Sequence, residues 1–189
     1  MNNSKWQELG PFVVFDVETT GMSPARDRIV QLAAQRIDRD GTVSEFESLI
    51  NPGRPIPFAA MNVHHITDQM VADAPRFTDV GYRFLDFCRG ATLVAHNARF
   101  DLAFLQESLC RSGLPLWKGR TMDSVILAKR AFPGLPSYSL QNLRCALSLG
   151  DDPGLVAHRA DSDVVWTVRL LEKILVCLIE REQNSCGCC

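Results

Sequence analysis

From Phe12 to Glu18 the chain reads Phe-Val-Val-Phe-Asp-Val-Glu, apolar at both parities until two acids interrupt it. A strand that is apolar on both faces is one covered on both sides, so this segment predicts a central strand of a sheet. Ile29–Ile37 and residues 42–50 are further extended runs, and they flank Asp38-Arg39-Asp40-Gly41, whose Asp-Gly end is a hairpin signal. The first part of the chain thus predicts three antiparallel strands.

Farther on, the apolar period lengthens to that of helices. Thr78 can cap a helix whose apolar face carries Phe84, Leu85 and Cys88, with Gly90 closing it. Residues 92–95 predict a short buried strand, followed by a helix over about 99–112 that stops at Gly113. A strand near 120–123 leads into a helical stretch over 125–132, and another helical stretch covers 140–149 after the turn-rich residues 132–138. Val164, Val168, Leu171, Leu175 and Leu178 alternate spacings of four and three, which places one stripe of a last helix against a core. Three leading strands followed by alternating strands and helices predict an α/β fold: a mixed sheet flanked by helices. Residues 51–57, with three prolines, read as an ordered surface loop. Residues 1–10 read as an N-terminal extension, 11–180 as one domain, and 181–189 as a frayed, disordered, cysteine-containing tail.

Composition narrows the classes. A chain of 189 residues with 46% hydrophobic and 22% charged positions can bury a core of its own, which excludes disordered and fibrous proteins. Its net charge of -2 excludes a global basic field, so any nucleic-acid partner must be held by a local patch or by metal ions. Seven cysteines without framework spacing and an N-terminus unlike a signal peptide predict a reduced, cytoplasmic setting. No apolar run reaches the roughly 20 residues of a membrane span, so no membrane association is expected. Cys186, Cys188 and Cys189 invite a zinc reading, but their spacing is too tight for four ligands and suits an oxidation-prone tail better.

Three short blocks carry the candidate chemistry. Asp16 and Glu18, two apart on a strand, share a face and offer hard oxygen ligands suited to magnesium or manganese; as a lone pair they could equally be a solvated strand end. Thr19, Thr20 and Gly21 follow, able to grip a phosphate or a sugar, and Met22 is either an apolar edge for a base or a core methionine. In the second block His96 and Asn97 close a strand, Phe100 either fills the core or stacks on a base, and Asp101 falls in the first helical turn, where a lone acid would simply stabilise the helix. In the third block His158 and Asp163 are five apart, roughly 140° around a helix, so they would not share a face. His158 is therefore expected on the loop entering the last helix, with Asp163 fixed one turn in; Asp161 is a rival ligand whose place also suits helix stabilisation.

Asp-x-Glu-Thr-Thr-Gly, then His-Asn-x-x-Phe-Asp, then His-x-Ala-x-x-Asp, in this order and separation, resemble the DEDDh 3'-5' exonucleases of the DnaQ-like, ribonuclease H-like superfamily. The resemblance extends over residues 12–178, including Asn-Val-His-His-Ile-Thr at 62–67, and leans toward the proofreading epsilon subunits of bacterial DNA polymerase III. It implies a ribonuclease H-like five-stranded sheet and a two-metal hydrolysis of phosphodiester bonds at 3' ends that releases nucleoside 5'-monophosphates. It also implies that Asp16, Glu18 and Asp163 hold one cation, that Asp16 bridges to a second supported by Asp101 through water, and that His158 is the general base. His64 would contact the terminal nucleotide, and Asp123 would be structural.

One departure stands out: His65 occupies a position that the family usually fills with glycine, where a left-handed backbone is least comfortable for another residue. The motifs do not separate DNA from RNA, so an exoribonuclease is the alternative, and a polymerase-associated binding subunit is the reading from another class. Because residues after the last helix are few, a free-standing exonuclease and a subunit of a replicative DNA polymerase are equal expectations.

Overall fold

The computed structural model describes residues 5–150 and 159–186 of the chain. Its strands are β1 (Phe12–Thr19), β2 (Ile29–Ile37), β3 (Val43–Leu49), β4 (Thr92–Ala95) and β5 (Thr121–Asp123). They form one five-stranded sheet in the order β3-β2-β1-β4-β5, with β1 central as its two-sided apolar run predicts. β1 and β2, and β2 and β3, pair antiparallel, whereas β4 runs parallel to β1 and to β5. The mixed sheet with three leading antiparallel strands is the architecture expected from the sequence.

Alternation along β1 sends its side chains to two different layers. Val13, Phe15 and Val17 pack with Val80 and Phe84 of α3 (Phe77–Phe87) and with Phe104, Leu105 and Leu109 of α4 (Ala98–Arg111). Phe12 and Val14 pack on the opposite face with Val164, Leu171 and Leu175 of the long helix that starts at Ala160. That helix also buries Trp166, Leu170 and Ile174 against Ala128, Ala131 and Leu143 from the helices Ser124–Ala131 and Leu140–Ala146. Complete burial of each such valine, leucine, isoleucine or phenylalanine side chain stabilises by about 1.5–3 kcal/mol before entropy is counted.

Several boundaries differ from the sequence expectation. Thr78 is not a cap: α3 begins at Phe77, with Arg76 in the cap position and no side-chain cap hydrogen bond, because Phe77 packs on the core and draws the helix start forward. Two short helices, α1 (Phe58–His64) and α2 (Asp68–Val71), were not anticipated. α2 is capped by Thr67, whose side chain accepts from the Met70 amide. α1 ends at His65, which does take the left-handed conformation, φ 61° and ψ 15°, that glycine would adopt more easily.

The remaining helices are α5 (Ser124–Ala131), α6 (Leu140–Ala146) and α7 (Ala160–Cys186). α7 continues past Arg181, where the sequence suggested a frayed tail, because Glu180, Arg181, Glu182 and Gln183 are good helix formers and Arg181 donates to the Arg130 carbonyl at 3.1 Å. At the other end, part of the presumed N-terminal extension is built into the domain. Lys5–Leu9 form a 3-10 turn, and Trp6, 3% exposed, stacks on Phe12 with ring centroids 6.1 Å apart. Among the described residues no helix is long and apolar enough to cross a membrane.

Candidate active site

β4 pairs with β1 only as far as Val14. Asp16 and Glu18 therefore lie beyond the end of that ladder, in the crevice outside the carboxyl ends of the parallel strands, where open α/β sheets place ligands. The β1–β2 register shifts between Glu18 and Thr19, an irregularity that re-aims side chains next to the crevice. From the opposite wall, Asp163 projects from the first turn of α7. One oxygen from each of Asp16, Glu18 and Asp163 lies within 4.8 Å of the other two, and all three residues are half-buried.

Asp101 completes the group from α4. It is 3% exposed, and its Oδ1 accepts the Val17 amide at 3.2 Å, which ties the start of α4 to the strand between Asp16 and Glu18. A buried bond of this kind is a different task from stabilising the helix that carries it.

Packing four acids together has an electrostatic cost that shows in their protonation. Burial first, then the charges of Asp101, Glu18 and Asp163, hold the Asp16 carboxyl well above the usual range. Burial, then Asp163 and Asp101, push Glu18 up to about 8, with the Arg159 guanidinium pulling the other way. Burial pushes Asp101 up to about 7 despite the amide bonds that favour its charged form. A divalent cation removes this cost. Donors around a magnesium ion at about 2.0–2.1 Å stand no more than roughly 4.2 Å apart, so the observed trio needs only small side-chain adjustments to fit one. The all-oxygen donor set suits a hard cation and not zinc.

The remaining predicted site residues fall in different places. His64 is 2% exposed; its Nδ1 accepts the Ile66 amide at 3.0 Å, so the neutral ring carries its proton on Nε2. Burial foremost lowers its pKa, and the Thr19 carbonyl partly offsets that effect, which places the ring beside the turn that follows Glu18. In that turn Thr19 Oγ1 donates to the Gly21 carbonyl at 2.6 Å, and Thr20 Oγ1 accepts the Arg28 amide at 3.0 Å. A Cβ at Gly21 would lie 2.6 Å from the Asp27 carboxylate and would push that side chain off its bonds to Thr20 and Ser23. Met22 is 80% exposed at the tip of the turn, which removes the core-methionine reading.

His96 faces inward. Its Nε2 is 3.0 Å from the Tyr138 carbonyl, which can only accept, so Nδ1 must accept from Ser124 Oγ at 2.8 Å. Both ring nitrogens are thus committed to the protein just past the end of β4. Asn97 stands exposed in a left-handed conformation at the head of α4, while Phe100 is half-buried and packs on Phe104 at 4.9 Å. Asp161 pairs with Arg159 at 3.7 Å and lies outside the carboxylate trio. Asp123 caps α5, accepting the Val125 amide at 2.8 Å. His158 lies outside the described residues, as do Gly187, Cys188 and Cys189.

Two contributors were missed in the sequence. Arg159, inside the third motif, bears electrostatically on both Glu18 and His64. Gln31, fully buried and paired with Glu18 across the sheet, accepts the Ala160 amide at the start of α7 at 3.4 Å. A glutamine set among the apolar positions 29–34 of β2 was the available signal for the second.

Comparison with known proteins agrees with this geometry. A family described as exonuclease matches residues 13–171. The DNA polymerase III subunit epsilon of Treponema pallidum is 37% identical over 182 residues, 94% of this chain and 80% of that protein. A DNA polymerase III subunit epsilon-like protein of Rhodobacter capsulatus is 42% identical over 93% of this chain, which spans only 25% of that longer relative. Among solved structures, Exonuclease X in complex with 5' overhanging duplex DNA is 34% identical and superposes with a TM-score of 0.69 over 87% of this chain and 90% of its own. The mixed sheet is thus the ribonuclease H-like sheet of such divalent-cation-dependent enzymes, the acid cluster is a group that could hold such a cation, and the chain belongs to the RNase T family of DnaQ-like exonucleases.

Proposed function

We propose that this chain hydrolyses the terminal phosphodiester bond at the 3' end of single-stranded or frayed DNA and releases nucleoside 5'-monophosphates one at a time. The observation that carries the proposal is the convergence of Asp16, Glu18 and Asp163 within 4.8 Å at the open end of the parallel ladder. Similarity to Exonuclease X, solved with DNA, favours DNA over RNA as the substrate.

In this reading Asp16, Glu18 and Asp163 would hold one magnesium or manganese ion, and Asp16 and Asp101 would support a second. When bound, the two cations would polarise the phosphoryl oxygens and ease deprotonation of the attacking water. His158 takes the proton from that water as its oxygen bonds to phosphorus and the 3' oxygen of the preceding nucleotide leaves. An imidazole near pKa 6.5 is suited to this at neutral pH. Met22 offers an apolar edge to the terminal base, and His64 offers Nε2–H beside Thr19. The Thr19 and Thr20 hydroxyls act through the shape of the turn, since both are engaged within it. Asn97 and Phe100 flank the same crevice from α4. His96 serves by bracing the end of β4 against α5.

Similarity to epsilon subunits extends the proposal to association with a replicative DNA polymerase, and the unpaired cysteines to a reduced, cytoplasmic setting. Steady-state kcat/KM on single-stranded DNA, mismatched duplex ends and RNA under identical Mg2+ conditions tests the substrate. DNA should be preferred, and equal or better turnover of RNA makes the chain an exoribonuclease. His158→Ala should lower the rate by about 10²–10⁴ while leaving cation binding in place. Failure to co-purify with the polymerase removes the subunit role.

A further inference from the structure

A cleft of about 230 Å³ lies away from the carboxylates, between the end of α4 and the start of α3, and Arg28, Arg76 and Arg111 line it. A fourth arginine, Arg54, is close enough to act on Arg28 electrostatically. The nearby acids are already engaged: Asp27 accepts the Ser23 amide at 2.9 Å, and Glu107 pairs with Arg111 at 3.1 Å. Three of the four arginines also have structural work. Arg28 and Arg54 donate to the Arg26 carbonyl at 3.0 and 2.7 Å, and Arg111 donates to the Pro24, Ala25 and Asp27 carbonyls. Arg76 does none of this. Its guanidinium lies across Gly53, is exposed, and among the described residues has no hydrogen-bond or carboxylate partner.

The cleft connects to the active site through one turn. Glu18 and Arg28 stand at the two ends of the segment joining β1 to β2, and the Arg28 amide bonds Thr20 Oγ1. On the α4 side, ten residues separate Asp101 from Arg111, about 15 Å at 1.5 Å per residue. At 3.4 Å per nucleotide step that distance corresponds to about four steps along a stacked strand. A chain whose net charge is -2 has no general attraction for nucleic acid, so a local concentration of arginine in which Arg76 has no carboxylate partner among the described residues is where backbone contacts would have to be made.

We infer that the Arg28–Arg76–Arg111 cleft holds a backbone phosphodiester of the bound strand several nucleotides from the 3' terminus, with Arg76 as the residue free to grip it. The inference rests on the exonuclease reading for the identity of the strand, and it makes the cleft a length sensor: a substrate too short to span from the carboxylates to Arg76 forgoes the contact. A site for free phosphate would show no such length dependence.

Binding without turnover separates this claim from the catalytic one. Fluorescence anisotropy in chelator, with labelled DNA of three and of twelve nucleotides at several salt concentrations, compares the unaltered chain with Arg76→Ala, Arg76→Lys and Arg89→Ala. Arg89, 83% exposed two residues past the end of α3, controls for loss of a surface charge. The unaltered chain should bind the 12-mer about tenfold more tightly than the trimer. Arg76→Ala should lose about five- to tenfold of the 12-mer affinity and flatten its salt slope by about 0.7, the share of one phosphate on a single strand. Arg76→Lys should recover most of the slope, and Arg89→Ala should keep both slope and length preference. Equal affinity of the unaltered chain for the two lengths, or an unchanged slope in Arg76→Ala, overturns the inference. Length-dependent binding without nucleotide release in Mg2+ upholds the cleft and refutes only the hydrolytic reading.

Discussion

The Asp101 carboxylate accepts a hydrogen bond from the Val17 amide, 3.2 Å away and 84 residues earlier in the chain. Val17 lies between Asp16 and Glu18, so this one bond sets the distance between the strand's two acids and the helix that carries the fourth. Asp101→Asn retains an acceptor and removes a charge; it should lower nuclease activity by about 10² or more, yet raise the melting temperature in chelator by relieving repulsion with Asp16 and Asp163. Asp101→Ala strands the buried amide and should cost about 1–3 kcal/mol. Thermal melts of both variants in EDTA, beside a nuclease assay, check the pair.

The raised carboxyls also predict how metal-free stability varies with pH. Glu18 titrates at about 8 in the folded chain against 4.5 for an unperturbed glutamate, so between those limits the native state binds more protons than the unfolded one. Stability then falls as pH rises through that window, and Asp101, at about 7, acts in the same direction. Melting in EDTA should therefore drop from pH 5 toward pH 8, and Mg2+ or Mn2+ should raise it most at the alkaline end. A melting temperature that climbs over the window in EDTA would refute the acid cluster's cost.

Much of this was visible in the sequence for identifiable reasons. β1 could be read because an apolar run at both parities ends in two acids, and α4 because Gly113, at φ 66°, stops it. What could not be read depends on partners far along the chain. His96 resembles a site residue until Ser124 and Tyr138, 28 and 42 residues on, are seen to hold both its nitrogens. Asp101 alone resembles an ordinary first-turn acid until Val17 is placed beside it. Three prolines near α1 hid a helix that tertiary packing of Ile56, Ile66 and Val71 supports.

The departure at His65 has a measurable consequence. A non-glycine residue at φ 61° is strained, and a glycine there is not. His65→Gly should stabilise the chain by about 0.5–1 kcal/mol, whereas His65→Val should destabilise it, both read from chemical denaturation. Loss of stability in the glycine variant would show that the exposed imidazole contributes more than the backbone strain costs.

Trp6 tests where the domain begins. Buried against Phe12 and within the layer that includes α7, it should cost about 3–5 kcal/mol when truncated to alanine. A chain that melts unchanged after Trp6→Ala would return the first ten residues to the status of an appendage.

The acid trio at the end of β1 is expected to make this chain a cation-dependent enzyme working from 3' ends. A time course on a 5'-labelled single-stranded oligonucleotide, with Mg2+ or with EDTA, and with the unaltered chain or Asp16→Asn, addresses it directly. The oligonucleotide should shorten by single nucleotides from the 3' end in Mg2+ with the unaltered chain, and not at all in EDTA or with Asp16→Asn. Immediate release of the 5' label as a mononucleotide, or shortening that persists in EDTA or in Asp16→Asn, contradicts that expectation.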